Sequence, residues 1–505
     1  MAWVWTMVRA AGAAVLAVTC ALSPRASAGG ATARPVTVDT AAIDRYVERE
    51  MRAARIPGVA IGIVQGDEIL YTRGYGVADA EGRAVTPQTP FYLGSVTKSF
   101  TALAIMQLVE AGKVDLDAPA QRYLSWFQLA DPTAARQITV RQLLNHTSGI
   151  PTYAGELAFI ERSRRSIEAL LRAQAGVRPV SRPGEEFHYS NLNYIVLGAI
   201  VETASGQSYA EYVAQHIFGP LEMPNSYAAS EQAAGVSTGY QYFFGFPRPI
   251  ASPNSPGTVP AGRLISSAED MCHYLAMWFN DGRYDGSTLV TSTGAQQLRQ
   301  PAAQVTSYVR YAMGWYTNPE ASVVWHGGST ENFRASMKII TKDGLAVVAL
   351  YNITDDTLQA LFGEGYLIAD GIISILYGEE PPVSSIVNTG QIYYVLDGVA
   401  VLLVAAVLFD ALRLRRWAGQ LRANRAKALA ALAGMLVFDF LCPLAVLLGV
   451  PRAVAWPVVL ANVPDYGYLL VGLSLVLLIM GVAKLGAGLF LLRRARTPTD
   501  SLLPR

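Results

Sequence analysis

A serine and a lysine stand three residues apart in the segment Ser95-Val96-Thr97-Lys98. Positions i and i+3 of a helix share a face, so the Lys98 side chain can approach the Ser95 hydroxyl if a helix begins here. A serine is a weak nucleophile until a neighbouring base takes its proton, and a lysine is such a base only where its pKa is lowered. The spacing therefore indicates nucleophilic chemistry, although a capping serine followed by a solvated lysine would have the same spacing.

Two further motifs follow in the chain, Tyr-Ser-Asn at 189–191 and His-Gly-Gly at 326–328. A tyrosine near an ammonium group ionises more easily and can relay protons, and an asparagine amide can bind a substrate carbonyl. Paired glycines allow a substrate backbone to lie close to a strand edge, and His326 would add a donor or a positive charge. The three motifs in this order favour the catalytic interpretation of the serine–lysine pair.

Residues 37–378, which carry these motifs, mix helices and strands. Runs rich in β-branched residues at 59–64 and 68–73 predict a hairpin, and a helix is predicted from Ser95 to Ala111. Later strands are predicted at 307–316, 323–326, 334–340 and 345–351, before a final helix at 355–376. Strands open and close the segment, which predicts an α+β fold with one antiparallel sheet, flanking helices and a helical lobe.

Taken together, the motifs resemble those of the serine β-lactamase and penicillin-binding protein family, namely Ser-x-x-Lys, Ser/Tyr-x-Asn and Lys/His-x-Gly. The Tyr-x-Asn version is nearest the class C β-lactamase-like branch, which includes D-Ala-D-Ala carboxypeptidases and esterases. The similarity covers roughly residues 42–376 and implies the serine β-lactamase-like fold. Supporting stretches lie at 91–94, 143–150, 260–267 and 313–315.

The resemblance implies a catalytic role for three residues. Ser95 would be the acylated nucleophile, and Lys98 and Tyr189 would share the general-base and general-acid work. The expected reaction is acyl transfer from an amide, lactam or ester to water, with no metal and no cofactor.

The resemblance also implies a set of substrate-binding groups. Asn191 would hold the substrate amide, and the backbone N–H groups of Ser95 and of Ser329, which follows Gly328, would form the oxyanion hole. His326 stands where penicillin-binding proteins usually carry lysine, and the loss of a permanent charge there weakens the case for carboxylate-bearing substrates.

Several alternatives stay open at the level of sequence. The substrate is a small molecule or peptide, and cell-wall stem peptides, β-lactams, D-amino peptides and esters are all compatible with it. A penicillin sensor or cell-wall-binding protein would use the same residues but would be acylated without turnover. An aromatic run fits either core packing or an apolar wall of the cleft; its members are Tyr240, Tyr242, Phe243, Phe244 and Phe246.

The N-terminus and the overall charge indicate where the protein acts. Residues 1–28 have a positive start, a short apolar stretch and a small-x-small exit, which predicts a cleaved secretory signal peptide. Only Cys272 would then remain in residues 37–378, which excludes an internal disulfide and a cysteine-based metal site there. A net charge of +1 gives no reason to expect nucleic acid as a partner.

Residues 391–492 contain three apolar segments, each long enough to cross a lipid bilayer. A linker at 379–390 precedes them, and a tail at 493–505 follows. Arginines cluster between the first two segments and after the third, so the positive-inside rule predicts a cytoplasmic tail and an extracytoplasmic catalytic domain. Asp439 and Lys484 fall at a similar depth, which predicts either an intramembrane pair or a lysine that snorkels alone.

Overall fold

The computed structural model describes residues 36–161, 163–354, 367–382, 389–423, 425–452 and 454–495. They form two compact units, the first ending at Gly390 and the second beginning at Gln391. The predicted signal peptide lies outside the described residues, as do half of the predicted linker (383–388) and the first part of the predicted final helix (355–366).

Fifteen strands are found in the described part of the first unit. In chain order they are β1 (Gly58–Gln65), β2 (Glu68–Gly76), β3 (Phe91–Tyr92), β4 (Tyr240–Phe243), β5 (Phe246–Pro249), β6 (Ile265–Ser266), β7 (Arg283–Tyr284), β8 (Ser287–Thr288), β9 (Ala303–Gln304), β10 (Arg310–Tyr311), β11 (Tyr316–Thr317), β12 (Val323–Ser329), β13 (Arg334–Ile340), β14 (Leu345–Tyr351) and β15 (Ile353–Thr354).

Eight of these strands form one antiparallel sheet in the order β2-β1-β14-β13-β12-β11-β10-β9. The N-terminal hairpin is therefore joined to the late strands through the β1–β14 pairing. Strands β1 and β14 are buried almost throughout, whereas β12 and β13 alternate between buried and partly exposed residues. The predicted α+β fold, with a sheet assembled from both ends, is confirmed.

The helices of the first unit flank this sheet and form the helical lobe. They are α1 (Thr40–Ala54), α2 (Thr97–Glu110), α3 (Pro132–Gln137), α4 (Val140–Leu144), α5 (Thr152–Ile160), α6 (Ile167–Ala173), α7 (Asn191–Ser205), α8 (Tyr209–Val213), α9 (Val259–Gly262), α10 (Ala268–Phe279), α11 (Ser292–Arg299) and α12 (Ile368–Leu376). Residues Thr97 to Met106 of α2 are all buried, as expected for a helix enclosed on every side.

The strand predicted at 307–316 is wrong in its continuity, because the chain forms two short strands there. Between them Gly314 has φ +82°, a conformation that favours glycine. A Cβ atom at this position would lie 2.8 Å from the Lys98 carbonyl oxygen. The turn therefore allows the chain to pass close to α2 instead of continuing as a strand.

The second unit consists of helices α13 (Thr389–Leu412), α14 (Leu414–Ala423), α15 (Arg425–Met435), α16 (Cys442–Gly449), α17 (Trp456–Asn462) and α18 (Pro464–Ala495), with a π-helical turn at Leu436–Leu441. Within the described ranges, three stretches are long and apolar enough to cross a membrane, as predicted: Gln391–Leu412, Ala426–Arg452 and Pro464–Phe490.

The Asp439–Lys484 pair predicted from the sequence is present, since the Lys484 Nζ lies 2.7 Å from Asp439 Oδ2. Asp410, which the sequence analysis did not single out, lies 2.6 Å from the same nitrogen. Lys484 therefore has two carboxylate partners within the second unit.

Candidate active site

Ser95 lies in a tight 3-10 turn, Gly94–Val96, just before α2, so the predicted helix begins two residues later than expected. Gly94 has φ +53°, and a side chain there would collide with the backbone nitrogen of Ser329. A side chain at Gly328 would likewise overlap the Leu93 carbonyl oxygen. These two glycines allow the end of β12 to lie against the Ser95 turn, which brings together the segments predicted to form an oxyanion hole.

Lys98 is fully buried in the first turn of α2. Its Nζ lies 2.9 Å from the Ser95 Oγ, 2.7 Å from the Asn191 Oδ1 and 2.6 Å from the Ala261 carbonyl oxygen. Burial lowers the pKa of Lys98 well below the ordinary value for lysine, because the charged form loses its hydration. The neutral amine is therefore accessible next to a serine hydroxyl, which is the condition for proton transfer between the two.

Tyr189 is brought to the same pair from the loop before α7. The Lys98 Nζ lies 4.9 Å from the centre of its ring, and its side chain hydrogen-bonds with Ser95. Burial raises the pKa of the Tyr189 phenol well above its ordinary value, an effect that Tyr316 reinforces and the Ser95 hydrogen bond opposes. The sequence suggested that this tyrosine would ionise easily. Burial in the structure instead favours the protonated phenol, because the ionised form would lose its hydration.

The neighbouring residues explain how Tyr189 and Asn191 are held. The Ser190 backbone N–H donates to the His146 Nδ1 at 3.1 Å, and the same nitrogen lies 2.9 Å from the Asn193 Nδ2. The His146 ring also packs 4.4 Å from the Tyr189 ring, centre to centre. The sequence analysis assigned no role to His146. It missed this supporting role, whose only signal was a place in the stretch at 143–150.

Asn191 is the first residue of α7, and its side-chain oxygen accepts from Lys98. With Oδ1 so occupied, the Nδ2 group is the part of this amide that can donate to a substrate carbonyl.

His326 lies on β12 with 2% of its surface exposed. Its Nδ1 is 2.6 Å from the Gly327 carbonyl oxygen, so this nitrogen carries the proton, and its Nε2 is 3.2 Å from the Tyr311 hydroxyl. Burial, together with the charge of Lys98, lowers the pKa of His326 to about 3. Of the two roles suggested by the sequence, a positive charge is therefore wrong at neutral pH, and a neutral donor or acceptor remains.

We expect the first unit to lose stability as the pH falls from about 6.5 towards about 3. In this range His326 is protonated in the unfolded chain and neutral in the folded protein, so the unfolded state binds more protons. His146, whose pKa burial also lowers, acts in the same direction. Each histidine contributes up to about 1.4 kcal/mol per pH unit. Unfolding of wild type and His326→Gln between pH 7 and 5 should give a shallower slope for the variant. The exposed His216→Gln is the control, and equal slopes for wild type and His326→Gln would contradict the expectation.

A buried ion pair lies beside the site and was not foreseen from the sequence. Arg263 and Glu331 are joined by two hydrogen bonds of 2.7 and 3.2 Å, with side chains only 2% and 4% exposed. Arg263 also donates to the Thr258 hydroxyl at 3.0 Å and to the Phe159 carbonyl oxygen at 3.1 Å. Since Arg263 follows Ala261 by two residues and Glu331 follows Ser329 by two, the pair joins segments on both sides of Ser95.

Replacing only one residue of this ion pair should lower the stability of the folded protein. Arg263→Met leaves the Glu331 carboxylate buried without its partner, and we expect a loss of about 3 kcal/mol in the free energy of unfolding. The double variant Arg263→Met/Glu331→Leu should recover most of that loss, because no charge then remains unpaired. Denaturant unfolding of the two single variants and the double variant tests this cycle. Additive losses would mean that the two side chains act independently.

The aromatic run at 240–246 packs mainly against the end of α1. The Tyr242 hydroxyl donates to the Ala54 carbonyl oxygen, and the Arg55 guanidinium lies 4.7 Å from the centre of the Phe246 ring. An open cavity of about 450 Å³ lies beside the run, lined by Tyr92 and by residues 236–239 and 249–252 among others. The core-packing interpretation therefore accounts for Tyr242, which is buried, and not for Phe246, which is 58% exposed.

Among the described residues, no group of three or more histidine, cysteine or acidic side chains is arranged to hold a metal ion.

Among the curated proteins to which this chain is similar are a staphylococcal and an Aspergillus protein. Protein flp of Staphylococcus aureus (strain MW2) is 28% identical over 324 residues, which are 63% of this chain and 64% of that protein. The Unguisins hydrolase ungD' of Aspergillus campestris is 28% identical over 330 residues, which are 61% of this chain and 60% of that protein. The chain therefore spans less than two thirds of the length of these relatives.

Two solved structures and a family model are also similar to this chain. The octameric penicillin-binding protein homologue from Pyrococcus abyssi is 28% identical, with a TM-score of 0.59, and the match covers 68% of this chain and 78% of that one. EstCE1, a hydrolase with promiscuous acyltransferase activity, is 21% identical with a TM-score of 0.58, covering 66% and 98%, and shares the fold. The Beta-lactamase family model matches residues 43–364. Because that match takes in more than half of the 505 residues, the chain belongs to the β-lactamase family.

Proposed function

We propose that this protein is a membrane-anchored serine hydrolase, acting outside the cytoplasm through an acyl-enzyme on ester, amide or lactam bonds. The observation that carries the proposal is the 2.9 Å contact between the Lys98 Nζ and the Ser95 Oγ, made by an amine whose pKa burial lowers. A neutral amine at that distance can take the serine proton as the hydroxyl attacks.

In the first half of the reaction, Lys98 accepts the Ser95 proton while Oγ forms a bond to the substrate carbonyl carbon. The negative charge that develops on the carbonyl oxygen is stabilised by the backbone N–H groups of Ser95 and Ser329. As the bond to the leaving group breaks, the Tyr189 phenol donates its proton to the departing atom and regains one from the Lys98 ammonium. The raised pKa of Tyr189 supports this donor role, because the phenol is protonated in the resting site.

In the second half, water attacks the acyl carbonyl carbon and gives up a proton to Lys98 through the same groups. The bond from the carbonyl carbon to Oγ then breaks, and Ser95 recovers its proton. Proton number and charge return to their starting values, so the cycle needs no co-reactant other than water.

The electrostatics favour esters and neutral amides over substrates that end in a carboxylate. His326 is neutral at physiological pH, and the charge of Arg263 is matched by the buried Glu331. Neither group offers an uncompensated positive charge to a substrate carboxylate. The hydrolase name of the fungal relative supports hydrolysis as the reaction type.

The membrane part of the proposal rests on the three apolar helices and on their basic flanks. Arginines between the first two helices and after the third favour a cytoplasmic position for those segments. The first unit would then lie on the opposite side of the membrane, where the predicted signal peptide would also direct it.

The test uses the full chain, solubilised in detergent, with a p-nitrophenyl ester and a chromogenic β-lactam as parallel substrates. We expect sustained ester turnover, a higher kcat/KM for the ester than for the lactam, and fluorophosphonate labelling that maps to the peptide containing Ser95. A single burst of product without turnover would instead indicate a sensor that is acylated once. A label on any other serine would overturn the assignment of the nucleophile.

A further inference from the structure

Each of the three apolar stretches of the second unit contributes one charged residue to a common cluster, which we call the triad. Asp410 comes from α13, Asp439 from the π-helical turn and Lys484 from α18. The Lys484 Nζ lies 2.6 and 2.8 Å from the two carboxylate oxygens of Asp410 and 2.7 Å from the Asp439 Oδ2. Asp439 is 0% exposed and Lys484 2% exposed, whereas the Asp410 side chain is 25% exposed, so the contact between Asp439 and Lys484 is enclosed and Asp410 lies at its edge.

The local backbone is adapted to this contact. Asp439 lies in the π-helical turn Leu436–Leu441, a feature that is rare and frequently found at functional sites. Gly481 faces it from α18, one turn before Lys484, and a Cβ atom there would lie 2.9 Å from the Asp439 Cβ. A glycine at this position therefore allows the second and third apolar stretches to approach closely beside the ion pair.

The charges of the triad do not balance. One ammonium faces two carboxylates, and a net charge inside a bilayer is costly. The Asp439 Oδ1 is buried and has no hydrogen-bond donor among the described residues. At the same time, carboxylate oxygens of Asp439 and Asp410 lie 2.7 and 2.6 Å from the same Lys484 nitrogen, which makes the two carboxyl groups close neighbours. Neighbouring carboxyl groups can hydrogen-bond to each other only when one of them carries a proton.

Two other charged residues of these helices, Arg413 and Asp397, have contacts outside the triad. Arg413 lies one turn beyond Asp410, and its guanidinium is 4.6 Å from the centre of the Phe409 ring. Asp397 accepts a 2.8 Å hydrogen bond from the Tyr466 hydroxyl and lies 13 residues before Asp410, about 20 Å along the helix.

We propose that the triad is a proton-binding site, in which Asp410 and Asp439 share one proton beside the Lys484 ammonium. The bound proton makes the cluster neutral and provides the hydrogen that joins the two carboxyl groups. This inference rests on the proposed placement of the three helices in a bilayer, and it is independent of the chemistry at Ser95.

Dicyclohexylcarbodiimide, an apolar reagent that adds to protonated carboxyl groups, tests the proposal on the full chain in liposomes. We expect the wild type to be labelled at Asp410 or Asp439. Asp410→Asn and Asp439→Asn should each abolish labelling at both positions, because the remaining carboxylate then forms a neutral pair with Lys484. Lys484→Met should keep or increase labelling, since both carboxyl groups then take a proton. The matched control Asp397→Asn should leave labelling of the triad unchanged.

Two results would contradict the proposal that Asp410 and Asp439 share a proton. One is an unlabelled wild type that also lacks the infrared carbonyl band of a protonated carboxyl group. The other is an Asn variant whose remaining aspartate is still labelled, which would mean that each carboxyl group is protonated independently. Carbonate extraction of the same membranes separates these failures from a failure of the membrane proposal, because a protein that does not span the bilayer is released by this treatment.

Discussion

Replacing Ser95 by alanine is expected to lower kcat/KM for ester hydrolysis by about 10⁶-fold, the scale seen when the nucleophile of an acyl-transfer enzyme is removed. The proposed mechanism forms its covalent intermediate at this oxygen and has no second path to it. Folding should be unaffected, because the Oγ accepts one hydrogen bond from Lys98, whose amine keeps the Asn191 and Ala261 acceptors. The measurement is steady-state hydrolysis of the p-nitrophenyl ester, with thermal unfolding as the check on structure.

The matched control is Ser329→Ala, which removes a hydroxyl and keeps the backbone N–H proposed for the oxyanion hole. That hydroxyl lies 2.8 Å from the Thr354 Oγ1, so its loss removes a peripheral contact. We expect activity within about tenfold of wild type, since no group that stabilises the transition-state charge is lost. If Ser95→Ala retained activity close to that of this control, Ser95 would not be the nucleophile.

Lys98→Met should lower kcat/KM by about 10⁴-fold, the upper end of what a general base contributes. Methionine fills a similar volume and cannot take a proton, so the Ser95 hydroxyl loses its activating partner. In the wild type, activity should fall as the pH drops below the lowered pKa of Lys98, because the ammonium form cannot accept the serine proton. The pH dependence of kcat/KM for wild type and variant measures both effects.

The Lys98→Arg variant distinguishes a role of Lys98 as proton acceptor from a role as a fixed positive charge. Arginine keeps a positive charge at every accessible pH and does not act as a base. If Lys98 acts as a proton acceptor, the arginine variant is as inactive as the methionine variant. Substantial activity in Lys98→Arg would mean that the residue works as a cation, and the proposed proton path would be wrong.

The strands could be predicted from sequence where a local pattern determines them. Strands β13 and β14 have the predicted bounds 334–340 and 345–351, and the turn residues Thr-Lys-Asp-Gly at 341–344 mark where one ends and the other begins. The strand predicted at 307–316 was wrong because a contact distant in sequence interrupts it. At Gly314 the chain turns where it passes the backbone of α2, and the neighbouring residues give no indication of this contact.

The candidate site could likewise be predicted from the sequence only in part. Side chains with a recognisable spacing, such as Ser95 and Lys98, could be found from the sequence, and the structure brings Tyr189 and Asn191 to them. The third acceptor of the lysine could not be found, since it is the backbone carbonyl of Ala261 and has no signature in residue type. The protonation of His326 and Tyr189 also depends on burial, which spacing alone does not reveal.

The pairing of β1 with β14 has a consequence for the order of events during synthesis. Strand β1 is completed early in translation, yet its partner on the inner side of the sheet is the last long strand of the first unit. The wall that faces Ser95 is β12, which is held in the sheet by β13 and β14. A nascent chain that stops before residue 345 therefore contains β12 and β13 but lacks the strand that joins them to β1, so we expect hydrolytic activity to arise only after β14 has been synthesised.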